Sequence, residues 1–284
     1  MKSKKFEDYL YNCMKNAFNE VFLEKIDLTR MTDLHPSQLP FCAYKFLIGY
    51  INYKDLQPHY LSSDITLNIG TVIHSLLEKY MTCNKGLFGE WYCPKCFKKT
   101  GLSLYPKEKC CRFYKYREIS INYKGIVGHI DTVIKDENGD YWIVDYKTTT
   151  KSKLSEKSRD PGLTYKLQIF TYALCMQLQY GIKIKGVCLL FIAKENPCLE
   201  NISMYTSLVT KRKLLKVKKL LKKYLSTKKA CITASCYDDI DIKLEKCSDP
   251  YCPVCTKYTE EQLNDFLRAK INKDNGFPII KYCK

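Results

Sequence analysis

The stretch GHIDTVIKDENGDYWIVDYKT, Gly128 to Thr148, constrains the fold more than any other part of the chain. Two runs rich in β-branched and aromatic residues flank a polar tip, the pattern of a β-hairpin. The tip reads as a three-residue loop, Glu137-Asn138-Gly139, with Gly139 in the left-handed conformation such loops require. Counting outward from an Asp136–Asp140 pair places Asp131 opposite Asp145, and opposed residues share a face. Side chains alternate along a strand, so Lys147 joins that face while Val144 and Tyr146 point the other way, toward the core. A two-residue turn would shift the register by one and divide the two carboxylates between faces, so the pairing depends on the loop.

Two opposed carboxylates repel each other unless a divalent cation binds both. Hard carboxylate oxygens suit Mg²⁺ or Mn²⁺, which make a water easier to deprotonate and polarise a phosphoryl group. Lys147 would orient the attacking water or stabilise charge developing at phosphorus. This is the chemistry of phosphodiester hydrolysis. The competing reading is a surface hairpin with unrelated charges.

Around the hairpin the pattern changes along the chain. The N-terminal third reads as helical over FEDYLYNCMKNAFNEVFLEKI, PSQLPFCAYKFLIGY and IGTVIHSLLEKYMT, by apolar spacings of three and four. From Tyr116, YREISINY, GIVGHIDTVIK and YWIVDYKT predict an antiparallel meander. A helix follows over LTYKLQIFTYALCMQLQYG, stopped by Gly181, and then a fully apolar strand, KGVCLLFIAK. Strand, strand, strand, helix, strand predicts a mixed α/β (α+β) fold, a mixed central sheet flanked by helices. After Ser207, LVTKRKLLKVKKLLKKYLSTKKA predicts a long amphipathic helix with lysines on a solvated face, or a phosphate-contacting one. We divide the chain into 1–85, a helical part; 86–115, a cysteine-rich insertion; 116–206, a catalytic core; and 207–284, the basic helix with a second cysteine group.

The formal charge of +17 over 284 residues points to a polyanionic partner, nucleic acid before anionic membrane, although a Lys-rich composition also follows from an AT-rich genome. No apolar run reaches the ~18 residues of a membrane span and no secretory signal is evident, so we expect a cytoplasmic protein, in the host cytoplasm if viral. Sixteen cysteines in such a compartment serve metal sites rather than disulfides. Cys175 and Cys188 lie in apolar runs and read as buried hydrophobes. WYCPKC carries Cys93 and Cys96 in a metal-chelating turn whose partners are Cys110 with Cys111, or Cys110 with Cys83; zinc would supply the folding energy this small segment lacks.

QIFTY places Gln168 and Tyr172 four residues apart on one helix face after the meander, and IGTVIHSLLEKY places His74 on a helix before it. With Gly128 and Asp131, then Asp145 and Lys147, this order resembles the PD-(D/E)xK nuclease superfamily in its RecB-like branch, which includes CRISPR-associated and bacteriophage exonucleases. The resemblance runs from about Pro36 to Cys255 and implies a restriction-endonuclease-like core with a small metal-binding insertion. It implies His74 as a further metal ligand and Gln168 and Tyr172 as residues positioning the DNA backbone or the lysine. An acidic residue at Glu118 has counterparts in some relatives, and a solvent-facing role is the alternative. Phage relatives also resemble this chain in opening such an insertion on G-x-W-x-C.

Many relatives bind a [4Fe–4S] cluster through one early and three late cysteines, which match Cys42, Cys247, Cys252 and Cys255 here. The late three depart from the family spacing, so zinc is the substitute, and Cys283 an alternative ligand. The function implied is an Mg²⁺/Mn²⁺-dependent deoxyribonuclease, an exonuclease on single strands or duplex ends in recombination, repair or phage DNA processing. A separate helicase or recombination protein is the further partner, since no phosphate-binding GxxxxGK[ST] loop occurs. The alternative is a non-catalytic nucleic-acid-binding protein with structural metal clusters.

Overall fold

The loop at residues 136–140 sets the register of the chemistry-bearing hairpin. In the computed structural model Gly139 has φ +85°, the Asp136 N–H donates to the Asp140 carbonyl at 2.9 Å, and the Gly139 N–H to the Asp136 carbonyl at 3.0 Å. The Asp136 carboxylate adds bonds from the Asn138 and Asp140 N–H groups, each 2.9 Å, and from the Trp142 indole at 3.0 Å. A short polar side chain that caps its own turn makes this loop self-sufficient.

The structure describes residues 9, 12, 32–51, 61–81, 86–104, 115–234, 237–240, 242–247, 249 and 252–271. Apart from residues 9 and 12, the N-terminal segment expected to be helical lies outside them, as do Cys83, Cys110, Cys111 and Cys283. The helices are α1 (Ala43–Ile51), α2 (Leu61–Met81), α3 (Leu154–Arg159), α4 (Leu163–Tyr180), α5 (Lys211–Thr233) and α6 (Glu260–Lys270). The strands are β1 (Leu87–Tyr92), β2 (Ser103–Leu104), β3 (Lys115–Arg117), β4 (Ile119–Tyr123), β5 (Ile126–Ile130), β6 (Thr132–Lys135), β7 (Tyr141–Thr149), β8 (Ile184–Ala193) and β9 (Ile202–Leu208). Seven of them form one mixed sheet, ordered β2-β1-β6-β7-β8-β9 with β3 on β1, while β4 and β5 form a hairpin of their own. Among these strands only β7 and β8 pair in parallel, a helical crossover through α3 and α4 joining them.

The predicted meander is antiparallel but divided between two sheets. GIVGHIDTVIK forms not one strand but two, β5 paired with β4 and β6 paired with β1 and β7. The break falls at Asp131. The cysteine-rich segment contributes β1, whose Leu87 and Phe88 pair with Ile134 and Val133.

Helix α4 is buried over Leu167–Met176 on nearly every side, since it lies against β8, β4 and α5. A helix apolar all round needs cover all round. Gly181, at φ +70°, ends it, with N–H bonds from Gly181 to Gln177 and from Ile182 to Met176, both 3.2 Å. The sheet is buried on both faces. Ile143, Val187, Leu189 and Phe191 join the main core on the α4 side. Val144 and Tyr146 do not reach that core; with Cys188 they form a smaller apolar cluster against Leu77 and Met81 of α2. Cys175 and Cys188 are buried, as expected, and burial raises their thiols to about 12 and about 11.

Helix α5 starts at Thr210, whose hydroxyl accepts from the Lys213 N–H at 3.3 Å. Val217, Leu221 and Cys231 line its buried stripe, and Lys211, Arg212, Lys216, Lys218, Lys219, Lys222, Lys223 and Lys229 are exposed. Lys228 departs from the lysine pattern: it is 2% exposed, donates to the Asp33 carbonyl at 2.5 Å, and stands over the rings of Phe46 and Phe41 at 5.1 and 6.0 Å. Burial pushes its ammonium down to about 8, against the raising effect of Asp33. Between pH 8 and the unfolded value near 10.4 the unfolded chain therefore binds more protons than the folded one, and stability rises with pH. In urea titrations from pH 7 to 10, Lys228→Met should lack that rise; equal pH slopes in the two proteins would refute this account. Among the described residues no helix is long and apolar enough to cross a membrane.

Candidate active site

Asp131 occupies the bend where the chain leaves the β4–β5 hairpin for the main sheet. Its carbonyl accepts from the Tyr116 hydroxyl at 3.1 Å, and its Oδ2 accepts from the Tyr146 N–H at 2.7 Å. The Asp131 carbonyl and the Tyr146 N–H are thus each satisfied by a side chain, one by a hydroxyl donor and the other by a carboxylate acceptor. The last pair of β6 and β7 is Thr132 with Val144, so the next step brings Asp131 to the level of Asp145. The three-residue loop accordingly aligns the carboxylates as the sequence predicts.

Asp145 is 1% exposed, which is rare for a carboxylate without a counter-charge. Lys147 supplies one, its Nζ standing 2.6 Å from Asp145 Oδ2, while Gln168 Nε2 donates to Oδ1 over a long 3.5 Å. Apart from that lysine, Asp145 Oδ2 has no hydrogen-bond partner among the described residues. Burial pushes the Asp131 carboxyl well above the usual carboxylate range, and Asp145's charge adds to this against the lowering effect of Lys147. Burial opposes the Lys147 ammonium, but Asp145 and Asp131 outweigh it and raise its pKa. Excess negative charge in a desolvated place is a setting a cation relieves.

His74, on α2, brings Nδ1 to 3.7 Å from Asp131 Oδ2 and its ring edge-on to Tyr146 at 5.8 Å. Burial, and then Lys147, lower its pKa, favouring the neutral imidazole that ligates metals. Gln168 and Tyr172 are both buried on α4, and burial raises the Tyr172 phenol above its ordinary value. Gly128 lets this packing close tightly: a Cβ there would lie 3.2 Å from Pro36 Cδ and 3.3 Å from Tyr172 Cε1. Glu118, between β3 and β4, adds charge that acts on Asp131, His74 and Tyr172. Tyr165 was not singled out in the sequence; its ring lies 5.5 Å from Lys147 Nζ. Its position one turn before Gln168, on the same helix face, was the available signal.

A second cluster lies elsewhere. The sulfurs of Cys42, Cys247, Cys252 and Cys255 all lie within 4.8 Å of one another, with Cys42 to Cys255 at 3.4 Å and Cys42 to Cys252 at 3.8 Å. Backbone N–H groups of Lys45 and Cys255 reach the Cys42 and Cys252 sulfurs at 3.3 and 3.5 Å. Burial raises the Cys42 thiol, and raises Cys247 to about 11. For Cys252, N–H groups of Cys255 and Val254 outweigh burial and lower the thiol. Cys42 opens α1, and Tyr44 on that helix donates to Leu244 O at 3.2 Å and Asn264 Oδ1 at 2.8 Å, so the cluster and α6 bind the two ends of the fold. Cys93 is buried and Cys96 exposed in a turn after β1, where the Phe97 N–H donates to the Cys93 carbonyl at 2.8 Å.

The family model described as the PD-(D/E)XK nuclease superfamily matches residues 36–256. The chain belongs to the PD-(D/E)XK nuclease superfamily. Two solved structures are similar to it at low identity. That of SSO0001 is 16% identical, with a TM-score of 0.43, and covers 78% of this chain and 87% of its own. The alkaline exonuclease LHK-Exo from Laribacter hongkongensis is 11% identical, with a TM-score of 0.44, and covers 71% of this chain and 90% of its own; its complex with dAMP matches equally. No curated protein sequence matches significantly. For this PD-(D/E)XK nuclease, the mixed sheet with flanking helices is the family fold, and the family implies a nucleic-acid substrate and divalent metal.

Proposed function

We propose that the chain is a divalent-metal-dependent deoxyribonuclease that works from DNA ends or on single strands. The observation that carries this is the buried Asp145–Lys147 pair beside Asp131, whose carboxyl feels the charges of both. Asp131, Asp145 and the neutral His74 offer the oxygen and nitrogen donors that Mg²⁺ or Mn²⁺ accepts. When bound, such an ion polarises the phosphoryl group and makes water more acidic. The protein's own residues do the rest. Lys147, held by Asp145 and by the face of Tyr165, keeps a positive charge beside the scissile phosphate and orients the attacking water. Gln168 steadies Asp145, and Tyr172 fills the space above Gly128 so that the Asp131 bend keeps its shape. The exposed lysines of α5 add phosphate contacts, whose contribution weakens with salt.

For the cysteine cluster we propose one structural zinc ion. Tetrahedral Zn–S bonds place sulfurs about 3.8 Å apart, which the 3.4 and 3.8 Å separations match. A [4Fe–4S] cubane needs its thiolates spread to roughly 6 Å, wider than the 4.8 Å limit here. Cys93 and Cys96 would chelate a second zinc.

The test of the nuclease reading uses purified protein with end-labelled linear and closed circular DNA, single- and double-stranded, in Mg²⁺, Mn²⁺ or chelator. We expect linear DNA alone to be degraded, and only with metal. Cutting of circles would overturn the exonuclease reading, and degradation of RNA alone the choice of DNA.

A further inference from the structure

The turn after β1 holds one residue whose conformation and exposure both run against expectation. Phe97 has φ +56°, in the left-handed region that glycine enters freely and a bulky residue enters at a cost. The turn dictates this angle: the Phe97 N–H bonds back to Cys93 O at 2.8 Å and the Cys93 N–H to Lys98 O at 2.9 Å, closing a tight loop. Burial does not offset the cost, since the ring is 79% exposed. Among the described residues the other non-glycine with positive φ is Lys124, which sits in the two-residue β4–β5 turn where both central residues need that conformation. Backbone strain of this kind clusters at binding and catalytic sites, where the surrounding structure holds it in place.

Its neighbours indicate the partner. Lys95, Lys98 and Lys99 are all exposed around it, giving an aromatic ring set among three cations. That is the composition of a surface on which nucleobases stack while lysines meet phosphates. The position agrees. β1 and β7 are both antiparallel to β6 and so point the same way; Phe88 stands level with Val133 and Ile143. Continuing five residues from Phe88 to Cys93 advances in the same direction as β7 does from Ile143 past Asp145 and Lys147 to Thr148.

We propose that Phe97 stacks on an unpaired base of the substrate's end, with Lys95, Lys98 and Lys99 holding the adjoining phosphates. This rests on the nuclease reading and adds to it the element that receives the strand. Phe97→Gly gives opposite signs for two measurements. Removing the strain should raise Tm by about 2 °C, and removing the ring should weaken single-strand binding about tenfold. Phe97→Trp should keep the affinity and show indole fluorescence quenched by a bound strand.

Binding is measured by anisotropy with a fluorescein-labelled single strand, in an Asp145→Asn background and without chelator, so that neither cleavage nor loss of structural metal intervenes. Weaker binding by Phe97→Gly with an unchanged or higher Tm supports the proposal. Unchanged affinity, or affinity and Tm falling together, overturns it. If the parent protein binds no DNA, the nuclease reading has failed and this one with it. If the parent binds and Phe97→Gly binds equally well, only this one has failed.

Discussion

Asp145→Asn is expected to lower the rate of DNA cleavage at least about a thousandfold while leaving a folded, DNA-binding protein. The substitution keeps the shape and still accepts from Gln168, 3.5 Å away, but removes the charge that faces Lys147 at 2.6 Å. A neutral amide is a poor ligand for a hard cation, and the lysine loses the partner that fixes its position. Asp145→Ala is a worse test. It removes the acceptor oxygen and the side chain's volume as well as the charge, leaving the buried ammonium no partner at a cost of about 3–5 kcal/mol, so lost activity would be confused with lost structure. Lys147→Met carries the same penalty in reverse. The double variant Asp145→Asn/Lys147→Met should accordingly be more stable than Lys147→Met alone, a coupling that a double-mutant cycle reads from thermal melts. Cleavage by Asp145→Asn at the parent rate would place the chemistry elsewhere.

The second large effect is expected at the four-cysteine cluster. Burial raises the Cys42 and Cys247 thiols, so without a cation these two resist ionising. With zinc bound they become the tie between α1 and the C-terminal segment, across more than two hundred residues of chain. Cys252→Ser should release one metal ion per chain and lower Tm by about 10 °C, corresponding to roughly 3 kcal/mol or more. Elemental analysis of the two proteins counts the ion, and the purified parent should be colourless. Iron with absorbance near about 400 nm would establish a cluster instead. Such a cluster would require the thiols to spread toward the cavity of about 490 Å³ that borders Cys42, Cys247 and Cys252.

Much of the candidate site is written in local sequence. The Asp136–Asp140 tip carries its own capping bonds, so turn chemistry alone aligned Asp131 with Asp145. The spacing of Gln168 and Tyr172 put both on one helix face, and the structure buries both. What was not legible depends on distant partners. The division at Asp131 leaves no local trace, because β5 and β6 continue one alternating pattern and only their neighbours differ. β1 hides in LFGEWY, where its glycine and the cysteine that follows signal a loop until β6 is known to lie beside it. Lys228 falls among the lysines of α5 and reads as solvated, though Phe41 and Phe46 cover it. Val144 and Tyr146 were assigned to the main core because a half-buried hairpin has one apolar side, whereas α2 gives this sheet a second.

The bend at Asp131 leaves one acidic side chain answerable for two things at once, the backbone path between sheets and a corner of the reaction centre. A descendant that lost its catalytic task could discard Lys147 or His74 and remain well formed. It could not easily discard the acceptor for the Tyr146 amide. Inactive members of this lineage should therefore carry asparagine or aspartate at this point, as a relic of enzymatic ancestry preserved for architectural reasons.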